Sequence, residues 1–186
     1  MAAGWVSVEA PEPLGAVGAA VTAAGVAAVA FAVRPPADLT ARLAPAPAAR
    51  PEQAALVARQ IAEYLAGRRQ TFDFPIDWSL TAGAQRTVLQ TLHRTVGYGR
   101  TVTYGALADR SGVYDDAGPG ERWAGARDVG QIMGSNPVAL LVPCHRVVAS
   151  DGLGGYGGGY GGVETKRWLL TLEGVLAPTL DWNGPG

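Results

Sequence analysis

A short apolar segment that runs into Pro-Cys-His constrains the fold of this chain more than any other feature. Residues 138–142 are all apolar and are followed by Pro143, Cys144 and His145. Five apolar residues are too few for a helix and indicate a buried strand or core segment. Because proline has no N–H to donate to a sheet, regular pairing should end at Pro143. Cys144 should therefore lie where an extended segment breaks, a position from which its side chain can face a cavity.

A glycine-rich stretch and then a helical pattern follow this segment. Residues 152–162 are all glycine apart from one leucine and two tyrosines, Tyr156 and Tyr160. Because glycine has no side chain, such a stretch lets the backbone approach a ligand closely. The pattern after it predicts a helix that ends near Gly174. The face of that helix directed to the core should carry Val163, Trp168, Leu169 and Leu172.

The thiol of Cys144 beside the imidazole of His145 has two interpretations. A thiol is a nucleophile only as the thiolate, and a neighbouring base makes the thiolate available. A lone cysteine is equally often a small buried hydrophobic residue. Because adjacent residues on a strand face opposite sides, the two side chains need not touch, and a water or a third group could join them. The residues alone leave both interpretations open.

The single cysteine and the weak net charge exclude several classes of protein. One cysteine among 186 residues rules out an internal disulfide, which favours a reducing compartment, and we expect a cytoplasmic protein. With only two histidines, the chain lacks the ligands of the common zinc sites. The net charge of −1 is not the strongly basic balance of many nucleic-acid-binding proteins. Any role in binding nucleic acid must therefore rest on motifs rather than on bulk charge.

The amino-terminal part contains an uncharged stretch, residues 14–33, for which a membrane span must be considered. The stretch is dominated by alanine and glycine, and no basic segment precedes it, so we expect neither a membrane span nor a secretory signal. Two strands that meet at Gly25 in a hairpin fit the pattern better, while the alanine content keeps a helix as a competing interpretation. Residues 1–8 are expected to form a loose start.

The next signals predict a helix and a short strand. Pro51 suits the first turn of a helix, which apolar residues at helical spacing extend to about Leu65 before Gly67 ends it. Residues 72–78, with the sequence FDFPIDW, alternate apolar and acidic residues as a short strand would. We expect this half of the chain to serve mainly as a scaffold.

Three further helical patterns precede the segment with Cys144. Thr81 is a candidate cap for a helix whose inward residues would be Val88, Leu89 and Leu92. Residues 101–110 and 124–133 predict a further pair, either ordinary packed helices or the two helices of a helix-turn-helix. The connection between them is longer than the usual turn of that motif. We interpret residues 113–122 as an acidic surface insertion that does not contact phosphates.

Several separate elements of the carboxyl-terminal half occur together in the order of one protein family. The sequence SNP, the motif PCHRV, the glycine-rich stretch and the pattern K-x-x-L-L-x-x-E-G together resemble the active-site segment of the O6-alkylguanine-DNA alkyltransferases, or methylated-DNA–protein-cysteine methyltransferases. The resemblance extends over roughly residues 81–174 and more weakly over the amino-terminal hairpin. It implies an α/β fold with a ribonuclease H-like strand-and-helix domain over residues 1–78. A mostly helical domain with a helix-turn-helix would follow over residues 79–177, and a tail over residues 178–186.

The resemblance implies a role in the chemistry for five residues. Cys144 would attack the O6-alkyl carbon of a guanine flipped out of the duplex and would keep the alkyl group. His145 would draw off the thiol proton through a water, and Glu173 would hold this histidine in place. Asn136 would brace the turn that carries the site. Tyr104 would donate a proton or a hydrogen bond to the guanine ring as it leaves.

The resemblance also implies a DNA-contacting helix and a pocket for the base. Arg127 corresponds to an arginine finger that fills the gap left by the extruded base. Small residues around it would let the helix approach the minor groove, and the DNA-contacting set would include Thr103, Gly125 and Ala126. Asp128 departs from the family, where a small neutral residue is usual, and should repel phosphate unless it is paired. The pocket residues would be Met133, Val147, Lys166 and either Tyr156 or Tyr160.

The function that the resemblance implies is DNA repair by irreversible alkyl transfer, once per molecule. The substrate would be O6-alkylguanine in double-stranded DNA, with O4-alkylthymine as a further candidate. No cofactor is expected, no membrane is involved, and the protein should act as a monomer. Three alternatives stay open: an acceptor specialised for another alkylated substrate, a non-catalytic module that binds alkylated DNA, and a cysteine hydrolase.

Overall fold

A computed structural model describes residues 4–31, 37–43, 47, 49–115, 122–155 and 162–185. The chain forms two compact units. The strand unit consists of Met1–Leu80, Pro137–Leu141 and Pro178–Gly186, and the helical unit consists of Thr81–Asn136 and Val142–Ala177. The strand unit therefore includes two short segments from the carboxyl-terminal half in addition to the sequence before residue 81.

The strand unit is built on a three-stranded antiparallel sheet in the order β1-β2-β3, with β1 at Gly4–Glu9, β2 at Ala16–Thr22 and β3 at Gly25–Ala30. The predicted hairpin at Gly25 is confirmed. Gly25 has a φ of +136°, and a side chain there would collide with the carbonyl group of Pro75, so only glycine fits. The predicted loose start is wrong over residues 4–8, because this segment pairs along β2 from Gly4↔Val21 to Glu9↔Ala16.

The uncharged stretch supplies β2 and β3, and every residue of both strands is buried. A sheet covered on both faces reads as a continuous apolar run, which explains why this stretch resembled a membrane span. Among the described residues, no helix is long and apolar enough to span a membrane.

In its described residues the strand unit also contains the helices α1 at Ala37–Leu43 and α2 at Pro51–Leu65. The prediction for α2 is confirmed, and Gly67 follows it with a φ of +69°. The short strand predicted over residues 72–78 is wrong. That segment contributes an isolated bridge between Val26 and Ile76 and then a 3₁₀ turn at Trp78–Leu80. Pro75 lies in the middle of the segment and has no N–H for a ladder, although its carbonyl accepts a hydrogen bond from Val26.

The helices in the described part of the helical unit are α3 at Gly83–Thr95, α4 at Tyr104–Ser111, α5 at Arg122–Gly134 and α6 at Gly162–Leu172. Two short strands, β4 at Val102–Thr103 and β5 at Val147–Val148, pair in parallel. The pairing puts the start of α4 beside the residues that follow Cys144. This is the arrangement that assembles the candidate site described below.

Two details of the predicted helices are corrected. The residue that caps α3 is Ala82, whose side chain makes no capping bond, whereas buried Thr81 accepts a hydrogen bond from Nε of Arg86 at 3.3 Å. On α6, Val163 is 40% exposed and is not a core residue. The buried face of α6 is more polar than predicted, and it consists of Thr165, Lys166, Trp168, Leu169 and Leu170.

Candidate active site

The catalytic candidate Cys144 begins a 3₁₀ turn at Cys144–Arg146, between Pro143 and β5. The turn is closed by a hydrogen bond from the amide of Arg146 to the carbonyl of Pro143 at 2.9 Å. In such a turn successive side chains are rotated by about 120°, rather than alternating as on a strand. The expectation that Cys144 and His145 face opposite sides, as on a strand, is therefore corrected. Their side chains are about 120° apart around the turn. Cys144 and His145 are both buried.

The ring of His145 is held in one orientation by Glu173. Its Nε2 lies 2.9 Å from Oε1 of Glu173, and both side chains are fully buried. Because an ionised carboxylate can only accept, Nε2 carries the hydrogen and Nδ1 keeps its lone pair. Nδ1 has no hydrogen-bond partner among the described residues. The arrangement leaves a buried acceptor nitrogen next in sequence to the thiol.

The histidine of this pair is neutral at neutral pH, whereas the carboxylate is ionised as in an ordinary ion pair. Burial lowers the pKa of His145 below its usual value, and it outweighs the hydrogen bond and charge of Glu173, which act in the other direction. Burial opposes the charge on Glu173, but hydrogen bonds from His145 and Arg146 and the charge of Arg146 outweigh it and lower the pKa of Glu173. At neutral pH the histidine is therefore a neutral base and the carboxylate is ionised.

Arg146 is the functional residue that sequence reasoning missed. Its guanidinium donates to both carboxylate oxygens of Glu173, from Nη2 to Oε1 at 2.8 Å and from Nε to Oε2 at 2.9 Å. A third donor, Nη1, bonds the carbonyl of Val96 at 2.7 Å. The amide of Gly99 also donates to Oε2 of Glu173, at 3.2 Å. The only signal in the sequence was the arginine of PCHRV itself, because nothing local shows that it meets an acid 27 residues later.

Lys166 and Tyr104 converge on the loop that follows β5. The ammonium group of Lys166 donates to the carbonyls of Val147 at 2.6 Å and Gly155 at 3.1 Å. The hydroxyl of Tyr104 donates to the same Gly155 carbonyl at 3.0 Å, and the ammonium lies 5.8 Å from the centre of the tyrosine ring. Lys166 therefore links two backbone positions by hydrogen bonds and also supplies a buried positive charge.

The thiol lies within electrostatic range of both groups. Burial lowers the pKa of Lys166 to about 8, and a negative charge on Cys144 acts in the opposite direction. Burial, followed by the charge of Cys144, raises the pKa of Tyr104. At neutral pH both groups keep their protons, so an ammonium and a neutral hydroxyl lie within electrostatic range of the sulfur. A positive charge so placed favours the thiolate.

Asn136 ties the end of α5 to the segment that leads into Cys144. Its side-chain amide donates to the carbonyl of Val142 at 2.9 Å, and the side chain is buried. Among the five predicted catalytic residues, His145 and Glu173 contact each other and Asn136 bonds Val142, two residues before Cys144, whereas Tyr104 bonds Gly155 beside Lys166.

Comparison with known proteins identifies the family. The family described as "6-O-methylguanine DNA methyltransferase, DNA binding domain" matches residues 83–175, which is half of the chain. The chain belongs to the 6-O-methylguanine DNA methyltransferase family. The match spans the predicted site from Tyr104 to Glu173.

Individual relatives of the 6-O-methylguanine DNA methyltransferase family agree with this assignment. A methylated-DNA–protein-cysteine methyltransferase of Mycobacterium tuberculosis is 42% identical over 120 residues, which cover 64% of this chain and 64% of the relative. A DNA base-flipping protein of Thermus thermophilus is 38% identical over 122 residues, covering 64% of this chain and 73% of the relative. The crystal structure of Mycobacterium tuberculosis OGT in complex with DNA matches with a TM-score of 0.68 and 29% identity, covering 91% of this chain and 92% of that one.

The helix predicted to contact DNA in this family member is α5. Arg127 and Asp128 are exposed, and neither forms an ion pair with a residue in the described ranges. Ala126 is partly buried, whereas Gly125 is buried. A Cβ at Gly125 would lie 3.2 Å from Cγ of Tyr114 and 3.4 Å from Cβ of Ala108. The expectation that Gly125 lies against DNA is corrected, because this glycine allows close packing within the protein.

The remaining predicted residues of the family site have three outcomes. Thr103 caps α4, where its hydroxyl accepts a hydrogen bond from the amide of Ala106 at 3.2 Å. Met133 and Val147 are buried. Tyr156 and Tyr160 lie outside the described residues, as does most of the predicted insertion over residues 113–122.

Proposed function

We propose that this protein repairs DNA by transferring the alkyl group of O6-alkylguanine to the sulfur of Cys144. The observation that carries the proposal is the Glu173–His145 pair, which leaves Nδ1 of a neutral buried histidine as an acceptor at the cysteine. A thiol needs a base to become a nucleophile, and a base oriented by a carboxylate is the usual solution.

The reaction is a single displacement at the alkyl carbon. His145 accepts the thiol proton through a water, and the thiolate forms a carbon–sulfur bond as the bond from carbon to O6 breaks. Tyr104 donates a proton or a hydrogen bond to the guanine ring, so that the leaving group is a neutral base rather than an anion. Because a thioether does not revert, each molecule acts once, and the thiol must stay reduced until then, as it would in the cytoplasm.

Lys166 supports the charge that develops on the sulfur before attack. Its buried ammonium holds the backbone on both sides of the site, at Val147 and at Gly155. With a pKa of about 8 it keeps its proton at neutral pH. The charge and the two hydrogen bonds of Lys166 therefore both favour a thiolate that is held in a fixed position.

The substrate base must leave the duplex to reach a buried thiol. Extrusion of a base costs a few kcal/mol, and a protein offsets this cost with contacts to the duplex. In our proposal α4 and α5 act as a helix-turn-helix, and exposed Arg127 fills the space that the base leaves. Met133 and Val147 line the pocket for the extruded guanine. The strand unit, a ribonuclease H-like domain in this proposal, serves as scaffold.

A second candidate function is recognition of alkylated DNA without transfer. It is favoured by the similarity to a protein named for base flipping. Cys144 with its base argues for transfer, because a binding module has no need of an activated thiol. A specialised acceptor for another alkylated substrate uses the same chemistry and differs only in what enters the pocket.

Mass spectrometry after incubation with an O6-methylguanine duplex tests the proposal. We expect Cys144 to gain one methyl group, with one equivalent of lesion consumed per protein molecule, and we expect Cys144→Ala to bind the duplex without transfer. Tight binding without a mass gain would favour the recognition module. Clearance of many equivalents by the wild-type protein would contradict a single-turnover acceptor, and a released product without protein modification would indicate a hydrolase.

A further inference from the structure

Tyr114, at the start of the long connection between α4 and α5, packs on the backbone of α5. A Cβ at Gly125 would lie 3.2 Å from Cγ and 3.4 Å from Cδ2 of the Tyr114 ring. The same Cβ would lie 3.4 Å from Cβ of Ala108 on α4. Gly125 is therefore enclosed between α4 and the tyrosine ring, two residues before Arg127.

A tight turn fixes the ring in this place. Gly112 ends α4 in the left-handed conformation, with a φ of +67°, and its amide bonds the carbonyl of Asp109 at 3.3 Å. The hydroxyl of Ser111 accepts a hydrogen bond from the amide of Val113 at 3.3 Å and donates to the carbonyl of Ala108 at 2.7 Å. These bonds reverse the chain directly after α4, so that the third residue beyond Ser111 lies over α5.

The ring also lies near the charged side of α5. Tyr114 and Asp128 line one groove with Gln131 and Ile132. Burial raises the pKa of the Tyr114 hydroxyl, and the charge of Asp128 raises it further. The tyrosine thus contacts α5 on the face that carries Gly125, Asp128 and Ile132, whereas Arg127 is exposed.

We propose that Tyr114 is a positioning residue for substrate DNA: its ring on Gly125 fixes the first turns of α5 and thereby aims Arg127. The inference rests on the proposed function, because it assigns the ring a part in the approach of α5 to the duplex. Tyr114 touches neither the base nor Cys144. Its loss should weaken the reaction with duplex DNA and leave the chemistry at the thiol unchanged.

Two substrates separate these effects. A free O6-alkylguanine base needs no contact between Arg127 and a duplex to reach Cys144, whereas an O6-methylguanine duplex needs that contact. For Tyr114→Ala we expect the second-order rate constant with the duplex to fall by about tenfold, the effect of losing one packed aromatic contact. The rate with the free base should stay within about twofold of wild type. Tyr114→Phe, the matched control, keeps the ring and should react as wild type with both substrates.

A double-mutant cycle tests whether the ring acts through Gly125. Gly125→Ala places a methyl group against the ring, and it should slow the reaction with the duplex. In Tyr114→Ala/Gly125→Ala the methyl group enters space that the ring has left, so the two losses should not multiply. Multiplicative losses would overturn the inference, as would a wild-type rate for Tyr114→Ala on the duplex or an equal loss on both substrates. A wild-type protein that transfers no alkyl group from either substrate would instead overturn the proposed function, and this inference with it.

Discussion

Each unit of the molecule contains an arginine that pairs with carboxylates, and the two networks differ in burial. In the strand unit, Arg69 pairs with Glu63 and Asp73 at 2.8 Å each, and these side chains are 22%, 29% and 68% exposed. In the helical unit, Arg146 pairs with Glu173 at 2.8 Å, and the side chains are 8% and 0% exposed. The same two functional groups are therefore partly exposed to water in one unit and out of water in the other.

The difference in burial bears on why the buried network is present, because stability alone does not account for it. An exposed ion pair gains little, because water and salt screen it. A buried pair must recover a large desolvation cost, so that apolar residues of the same volume would often be as stable. The network of Arg146 also holds His145, and that third member gives it a task that apolar residues could not perform. We infer that the buried network is retained to fix the histidine as a neutral base.

The largest effect should come from removing the buried arginine. In Arg146→Met, Glu173 would keep its charge out of water with fewer partners, and the free energy of unfolding should fall by about 3–5 kcal/mol. Alkyl transfer should slow as well, since the pKa of Glu173 would rise and His145 would lose its fixed partner. Urea unfolding and single-turnover rates measure the two effects.

Arg146→Lys is the control for this prediction. Lysine keeps the charge but cannot donate two parallel hydrogen bonds to one carboxylate, so its losses should be smaller and of the same kind. A methionine variant as stable and as fast as wild type would show that burial does not make this pair essential.

A smaller effect, on stability at acidic pH, should distinguish the buried network from that of Arg69. The pKa of Glu173 in the folded protein lies below its ordinary value of 4.5, so the folded state binds fewer protons than the unfolded state. Its stabilising contribution is fully present above pH 4.5 and is lost as the pH falls below that value. Urea midpoints between pH 6 and pH 3 should therefore decline less steeply in Glu173→Gln than in wild type. Equal slopes would mean that Glu173 is not the carboxylate that acid protonates.

The sequence allowed much of the fold to be predicted where one residue decides a local structure. Gly25 fixes the hairpin because only glycine fits there, and Pro51 and Gly67 bound α2. The strand β1 was not predicted, because its alternating pattern from Val6 to Glu9 is short and its formation depends on pairing with β2. The strand predicted over residues 72–78 was wrong for the opposite reason. Its alternating pattern was present, but among the described residues no neighbouring strand extends along it.

The candidate site could be predicted in its members but not in its geometry. The resemblance to a family supplied Cys144, His145 and Glu173 as candidates, and the structure brings His145 and Glu173 into contact. It did not supply the 3₁₀ turn or the guanidinium of Arg146 on Glu173, because these depend on how α6 ends beside β5. A contact between residues distant in sequence produces no periodic pattern in the sequence. Charged residues inside a motif should therefore be considered as candidate site residues before the fold is known.

The smallest effect should come from removing Arg69, the partly exposed arginine, and this variant is the matched control for the buried one. In Arg69→Met we expect a loss of unfolding free energy of about a fifth of that in Arg146→Met or less, because water replaces the lost partner. Alternative partners also remain: Arg59 lies 3.7 Å from Glu63, and the side-chain amide of Gln60 lies 3.3 Å from Asp73.

Urea unfolding of the two methionine variants side by side makes this measurement, and the transfer rate of Arg69→Met should equal that of wild type. If Arg69→Met lost as much stability as Arg146→Met, exposure to water would not be what distinguishes the networks. Retention of the buried pair would then need no catalytic explanation. If only the buried variant slows transfer, the arginine next to His145 belongs to the machinery that prepares the thiol, although it touches neither sulfur nor base.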